Sequence, residues 1–292
     1  MASVVVVLVG IVGSATVTGS SLTLLTQLLW SLRANKSVWT KDLIGQVSSR
    51  APALAVWNDT LYLAFVTNNS GILLLSSQDG KTWTKDLIRQ ASSQAPALAV
   101  WNNTLYLAFV ANDIATNTLL LVSSRDGKTW TDNQPIQYNS GNSFTNLLPQ
   151  VSLQAPALAV WNDTLYLAFV DEGIHNNLLL VASRDGKTWT DNQPIQYNSG
   201  NFFTNLLPQV SLQAPALAVW NDTLYLAFVN NDSSILLASS RDGKTWTDNQ
   251  PIGDVGFASS QAPALAAWNN TLHLAFVDND STNNLLLISL KK

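Results

Sequence analysis

Apolar residues along this chain come in short runs, each closed by Asn, Asp, Ser or Gly, and the same run keeps returning. Ala-Pro-Ala-Leu-Ala-Val-Trp-Asn first stands at Ala51 to Asn58, and its tryptophan, Trp57, recurs as Trp101, Trp161, Trp220 and Trp268. A phrase returning every 44 to 60 residues signals stacked repeats or a propeller rather than unrelated domains. Each copy passes through Asn-Asp or Asn-Asn into Thr-Leu-Tyr-Leu-Ala-Phe-Val, Thr60 to Val66 in the first, then a polar loop and a Leu-rich run such as Ile72 to Leu75. These runs predict three successive strands. The first two are apolar on both faces, as a sheet sandwiched between neighbours requires. The two-residue link fits a tight hairpin, because Asn and Asp tolerate positive φ.

A fourth strand follows Ser-x-Asp-Gly-Lys-Thr-Trp, present as Ser77 to Trp83, Ser124 to Trp130, Ser183 to Trp189 and Ser240 to Trp246. Five inner phrases thus meet four outer ones. The missing strand is expected at the front, where Trp39-Thr40-Lys41-Asp42-Leu43-Ile44 repeats Trp83-Thr84-Lys85-Asp86-Leu87-Ile88. Pairing that strand with the last blade would close the ring and remove a free edge. The predicted fold is all-β: a five-bladed β-propeller of four-stranded blades over residues 37–292, preceded by a hydrophobic α-helix within 1–36. Near-identity of Thr131 to Val170 with Thr190 to Val229, differing at Ser143 against Phe202, indicates duplication within the gene.

The Ser-x-Asp-Gly-Lys-Thr-Trp phrase resembles the Asp-box of sialidase-type propellers, shortened by one residue between Asp and Trp, and the blade number is similar to tachylectin-2-like lectins. The resemblance implies structural turns, with Asp79, Asp126, Asp185 and Asp242 closing them and Trp83, Trp130, Trp189 and Trp246 packing into the blades.

Composition narrows the function. Charged residues are 12% and apolar residues 47% of the chain, so disorder is excluded and the surface must be Asn, Ser, Thr and Gln. A net charge of −4 without a basic block speaks against a nucleic-acid surface. Zero cysteines exclude disulfides and thiolate metal sites. A sialidase needs three convergent arginines, an acid and a Tyr-Glu pair, whereas Arg125, Arg184 and Arg241 sit inside the Asp-box-like phrases and Glu172 is the one glutamate. His175 and His273 stand alone, and His273 takes the place held by Tyr62, Tyr106, Tyr166 and Tyr225. The expectation is therefore no catalysis, no cofactor and no metal. Eleven tryptophans suit a lectin, since aromatic faces with amide donors are what sugar rings need. The loops after the second strand differ too much to make a repeated sugar site legible.

Residues 1–32 carry no charge. Leu22, Leu25, Leu29 and Leu32 fall on one helix face, and Val4, Val7, Leu8 and Ile11 extend the apolar run. Signal peptide, membrane anchor and assembly helix all compete for this segment. The last resembles a type IV pilin, an uncharged helix before a globular head, although Val5 stands where bacterial pilins carry Glu. Asn-x-Ser/Thr occurs at Asn35, Asn58, Asn68, Asn102, Asn162, Asn221, Asn231, Asn269 and Asn279, five of them in the repeated hairpin, which suits either turn chemistry or N-linked glycan. Together these features set the expectation of an extracellular, glycosylated, non-enzymatic filament subunit that binds copies of itself through the front helix. A carbohydrate-binding propeller lectin, soluble or anchored, is the alternative.

Overall fold

The computed structural model describes residues 46–113, 116–139, 147–173, 175–198, 206–247, 250–252, 257–279 and 284–291. The chain divides into the units Met1–Leu43 and Ile44–Lys292, and the described residues all belong to the second. The expected front helix, Asn35 and the strand predicted at the front lie outside the described residues. Among the described residues, no helix is long and apolar enough to cross a membrane.

The fold is an all-β five-bladed propeller. Blade 1 is an antiparallel sheet of Ala53–Trp57, Thr60–Val66, Gly71–Ser77 and Thr84–Ala91, paired in sequence order from the inner strand outwards. Blade 2 begins with Ala97–Trp101, blade 3 with Ala157–Trp161 and blade 4 with Ala216–Trp220, each in the same order. Blade 5 comprises Ala264–Trp268, Thr271–Val277 and Leu285–Lys291. Each inner hairpin turns through two left-handed residues, such as Asn58 (φ 49°) with Asp59 (φ 54°) and Asn162 (φ 47°) with Asp163 (φ 52°). Two positive φ values in succession define the turn whose twist matches that of paired strands, and Asn and Asp are the side chains that accept them.

Pairing fixes which face each residue takes. Trp161 lies opposite Thr164 and Ala159 opposite Tyr166, so Trp, Ala and Tyr share the face that looks towards the next blade. Leu158 and Val160 take the other face. In the core between blades 2 and 3, Ala99 and Trp101 meet Leu158 and Val160; between blades 3 and 4, Ala157, Ala159 and Trp161 meet Leu217 and Val219. Small alanines on one face thus receive branched side chains from the next. Phe109, Phe169, Phe228 and Phe276 are fully buried between blades.

The outer strands depart from the expected regularity. Blade 1 keeps an eight-residue outer strand, but in blades 2 to 4 it shrinks to Gln134–Pro135, Gln193–Pro194 and Gln250–Pro251. Proline has no N–H to donate, so the ladder stops there. The chain then forms small two-stranded ribbons, Gln137–Asn139 with Leu147–Pro149 and Gln196–Asn198 with Leu206–Pro208.

Candidate functional site: the grooves between blades

Each Ser-x-Asp-Gly-Lys-Thr-Trp segment folds into a self-contained turn at the end of its third strand. In blade 3, Ser183 Oγ donates to Asp185 Oδ1 at 3.1 Å, and the backbone N–H groups of Lys187 and Thr188 donate to the same oxygen at 2.8 and 2.7 Å. Asp79, Asp126 and Asp242 repeat the arrangement. These donors favour the charged carboxylate and hold it well below the ordinary value of 3.8: backbone N–H bonds lead for Asp79 and Asp185, and the hydroxyls of Thr129 and Thr245 lead for Asp126 and Asp242. The unfolded chain binds these protons more readily than the folded one. Their contribution to stability is therefore full above about pH 4 and is lost progressively as pH falls below that value towards the depressed folded values. An acid titration followed by circular dichroism should show stability declining in that window, with Asp185→Asn flattening the decline.

Such carboxylates anchor turns rather than transfer protons. Trp83, Trp130, Trp189 and Trp246, which end the same segments, are partly buried against the apolar cores. The turn glycines of blades 2 to 4, Gly127, Gly186 and Gly243, lie against the tyrosine of the preceding blade. A Cβ on Gly186 would stand 2.8 Å from Tyr106 Cε1, and one on Gly243 would stand 2.8 Å from Tyr166 Cε1. The tyrosine is itself held by its own blade's tryptophan, with ring centroids 5.7 Å apart for Trp101–Tyr106 and 5.8 Å for Trp161–Tyr166.

This packing leaves a groove beside Tyr106, Tyr166 and Tyr225. Between blades 2 and 3, Tyr106, Arg125, Trp130 and Gln134 face Asp185 and Lys187 across a cavity of about 490 Å³. Tyr166, Arg184, Trp189 and Gln193 face Asp242 and Lys244 across about 470 Å³ between blades 3 and 4. Blade 4 repeats one wall of the set with Tyr225, Arg241 and Trp246. Burial raises the tyrosine hydroxyls above their ordinary value of 10, while the nearby guanidinium in these three blades pulls the other way. In blade 1 Gln78 stands where the arginines stand, and acidic neighbours raise Tyr62 further. A semi-exposed ring flanked by fixed donors and acceptors is thus repeated along the molecule. The sequence did not show this set, because its members come from two blades about sixty residues apart in the chain. The repeated signal was the arginine inside the turn phrase.

Between blades 4 and 5 the groove has another character. Tyr225, Leu237, Ile252, Phe257, Leu265 and Ile288 line an apolar cavity of about 580 Å³. His273 holds the tyrosine's place in blade 5, opposite Ala266, with its ring 6.1 Å from Trp268 and its Nδ1 2.8 Å from Ser289 Oγ.

In the inner hairpin turns, Asp163 and Asp222 accept hydrogen bonds from Trp101 and Trp161 of the preceding blades. Glu172 is exposed on the loop after the second strand of blade 3 and accepts from Asn117 Nδ2 of blade 2 at 3.3 Å. Asp113, on that neighbouring loop, accepts from Thr116 Oγ1 at 2.5 Å. His175 is exposed on the blade 3 loop. The sequon residues Asn58, Asn68, Asn102, Asn162, Asn221, Asn231, Asn269 and Asn279 are all exposed.

No family model matches the chain, and no curated protein matches it. Solved structures do share its fold. A protein of unknown function from Dyadobacter fermentans matches with a TM-score of 0.60 at 19% identity, over 84% of this chain and 81% of the other. The GH43_1 enzyme from Xanthomonas citri, solved with xylose, matches with a TM-score of 0.55 at 13% identity, over 89% and 92% of the two chains. The GH43 endo-arabinanase from Bacillus licheniformis gives 0.52 at 17% identity over 87% and 97%. At these identities the likeness establishes the propeller. It also corrects the expectation of a non-enzymatic filament subunit: the solved propellers it matches include GH43 enzymes, an endo-arabinanase and one solved with xylose.

Proposed function

We propose that this chain is a carbohydrate-active propeller, related in architecture to glycoside hydrolases, which seats saccharide in the grooves between its blades. The repeated groove carries the proposal. Tyr166 and Trp189 offer ring surface while Arg184, Gln193 and Lys244 offer donors, the combination that grips a ring apolar on its faces and hydroxylated at its rim. Glycoside cleavage requires two carboxyl groups flanking the bond. The pair assigned to it is Asp113 and Glu172, on adjoining loops joined by the Asn117–Glu172 hydrogen bond; these loops lie at the opposite end of the strands from the grooves, which therefore serve polymer binding and not cleavage. The turns are read as Asp-box-like scaffolding for the groove. The exposed sequons are read as sites for N-linked glycan on an exported protein.

The test combines binding with turnover. Arabinan, galactan and xylan are presented to the full chain, with affinity followed by calorimetry and reducing ends followed over hours. Saccharide binding is expected, weakened about tenfold in Tyr166→Ala through loss of about 1.4 kcal/mol of ring contact. Glu172→Gln is expected to retain binding and lose release of reducing ends. A chain that neither binds nor cleaves any of these polymers refutes the proposal.

A further inference from the structure

Two of the grooves carry a charge opposite in sign to that of the whole chain. The protein has a net charge of −4, yet Arg125 and Lys187 line the groove beside Tyr106, and Arg184 and Lys244 line the one beside Tyr166. All four cations are exposed, and among the described residues their side chains form no ion pair. One carboxylate lines each groove, Asp185 in the first and Asp242 in the second, so two cations stand against one anion in each.

That carboxylate is already occupied. Asp242 Oδ1 accepts from Ser240 Oγ at 3.0 Å and from the backbone N–H groups of Lys244 and Thr245 at 2.8 and 2.7 Å, while Oδ2 accepts from Thr245 Oγ1 at 2.7 Å. Asp185 is held the same way by Ser183, Lys187 and Thr188. Four donors leave such a group little acceptor capacity for a guanidinium across the groove. The arginine fork and the lysine ammonium are therefore available to an anion from outside.

The full set occurs at these two junctions and not at the others. In blade 1 Gln78 takes the arginine's place. In blade 5 Leu290 holds the register position of Ser240, so no turn phrase faces blade 4, and Arg241 lines its groove beside Tyr225 and Trp246 without a lysine opposite. Aromatic surface, guanidinium and ammonium thus converge twice in the molecule.

We infer that the grooves beside Tyr106 and Tyr166 select acidic saccharide, a uronate whose ring lies against the aromatic wall and whose carboxylate is met by Arg125 with Lys187, or by Arg184 with Lys244. The inference rests on reading the grooves as saccharide sites and names the saccharide they take. A planar guanidinium matches a planar carboxylate through two parallel bonds, and charge-assisted bonds are about twice as strong as neutral ones. The sugar's ring faces stay apolar for Tyr166 and Trp189, while its anion meets the cations at the rim.

Equilibrium dialysis of the full chain against a short oligogalacturonate and against its methyl ester tests this, because esterification removes the charge and keeps the backbone. The acid is expected to bind at two sites per chain and about tenfold more tightly than the ester in about 20 mM salt, an advantage that shrinks in about 300 mM salt. Arg184→Gln combined with Lys244→Gln should reduce the acid to one site, leave the melting temperature unchanged and spare binding of the ester. Equal affinity for acid and ester, or a preference that ignores salt, overturns the inference while leaving the grooves as saccharide sites. Binding of neither overturns both readings. A sulfated galactan oligomer of the same length that binds more tightly than the oligogalacturonate overturns the choice of carboxylate.

Discussion

Replacing Phe169 by alanine is expected to cost about 3–5 kcal/mol and to lower the melting temperature by roughly 10 °C. Phe169 lies on the second strand of blade 3 with no exposed surface, and it reaches back into the core that Ala108, Val110, Leu119, Leu121 and Ile136 of blade 2 provide. These are short side chains on two rigid sheets, so the cavity left by the ring cannot be refilled by local collapse. Phe109 and Phe228 occupy the same place in blades 2 and 4 and should cost similar amounts. Phe276 should cost less, because its cluster is smaller and is completed by partly exposed residues such as Ile252, Phe257 and Leu286. Scanning calorimetry of the four variants checks both the size and the order of the losses. Equal losses at all four positions would show that the last blade is as well packed as the middle ones.

The unequal fate of these equivalent positions explains what could be read from the chain and what could not. Blade number, hairpin turns and strand alternation followed from the Trp57-to-Trp268 series, since each is a local property repeated with the phrase. The left-handed Asn-Asp and Asn-Asn turns were legible because few other side chains tolerate them. The collapse of the outer strands was visible in Pro135, Pro194 and Pro251, yet the strand pattern around them outweighed it. The grooves were hidden for a different reason. Arg184 and Lys244 share a groove because blade 4 packs against blade 3 with Gly243 under Tyr166, a relation no sequence period records. Reading the turn tryptophans as packed into the blades concealed that Trp130, Trp189 and Trp246 are only partly buried, with one side turned to a polar cavity. The expectation of no catalysis failed similarly. It tested the chain against the arginine set of sialidases alone, whereas the solved structures that share its fold include GH43 enzymes.

Packing and candidate function therefore meet at the same residues. Tyr106 is at once the wall of a groove and the surface on which the next blade's turn rests. Its ring is clamped between Trp101 and Gly186. A groove whose aromatic wall is held on both sides loses little entropy on meeting a ligand, which favours affinity.

That double duty makes Gly186→Ala the second large effect, at about 3 kcal/mol, of which about 1 kcal/mol is the backbone strain that Gly80→Ala would share. Both glycines hold left-handed backbone, φ +70° and φ +71°, so an added Cβ strains both equally. They differ in surroundings. At Gly186 the new methyl would lie 2.8 Å from Tyr106 Cε1 and 3.0 Å from its hydroxyl, and the ring cannot swing away because Trp101 stands behind it. Blade 3 would then have to lift from blade 2. Tyr106→Ser should make room for the methyl, so the double variant is expected to lose less than the sum of the two single losses. Urea melts of Gly186→Ala, Tyr106→Ser and the double variant separate strain from collision: additive losses in the double variant would mean that backbone strain alone sets the penalty and that the tyrosine yields.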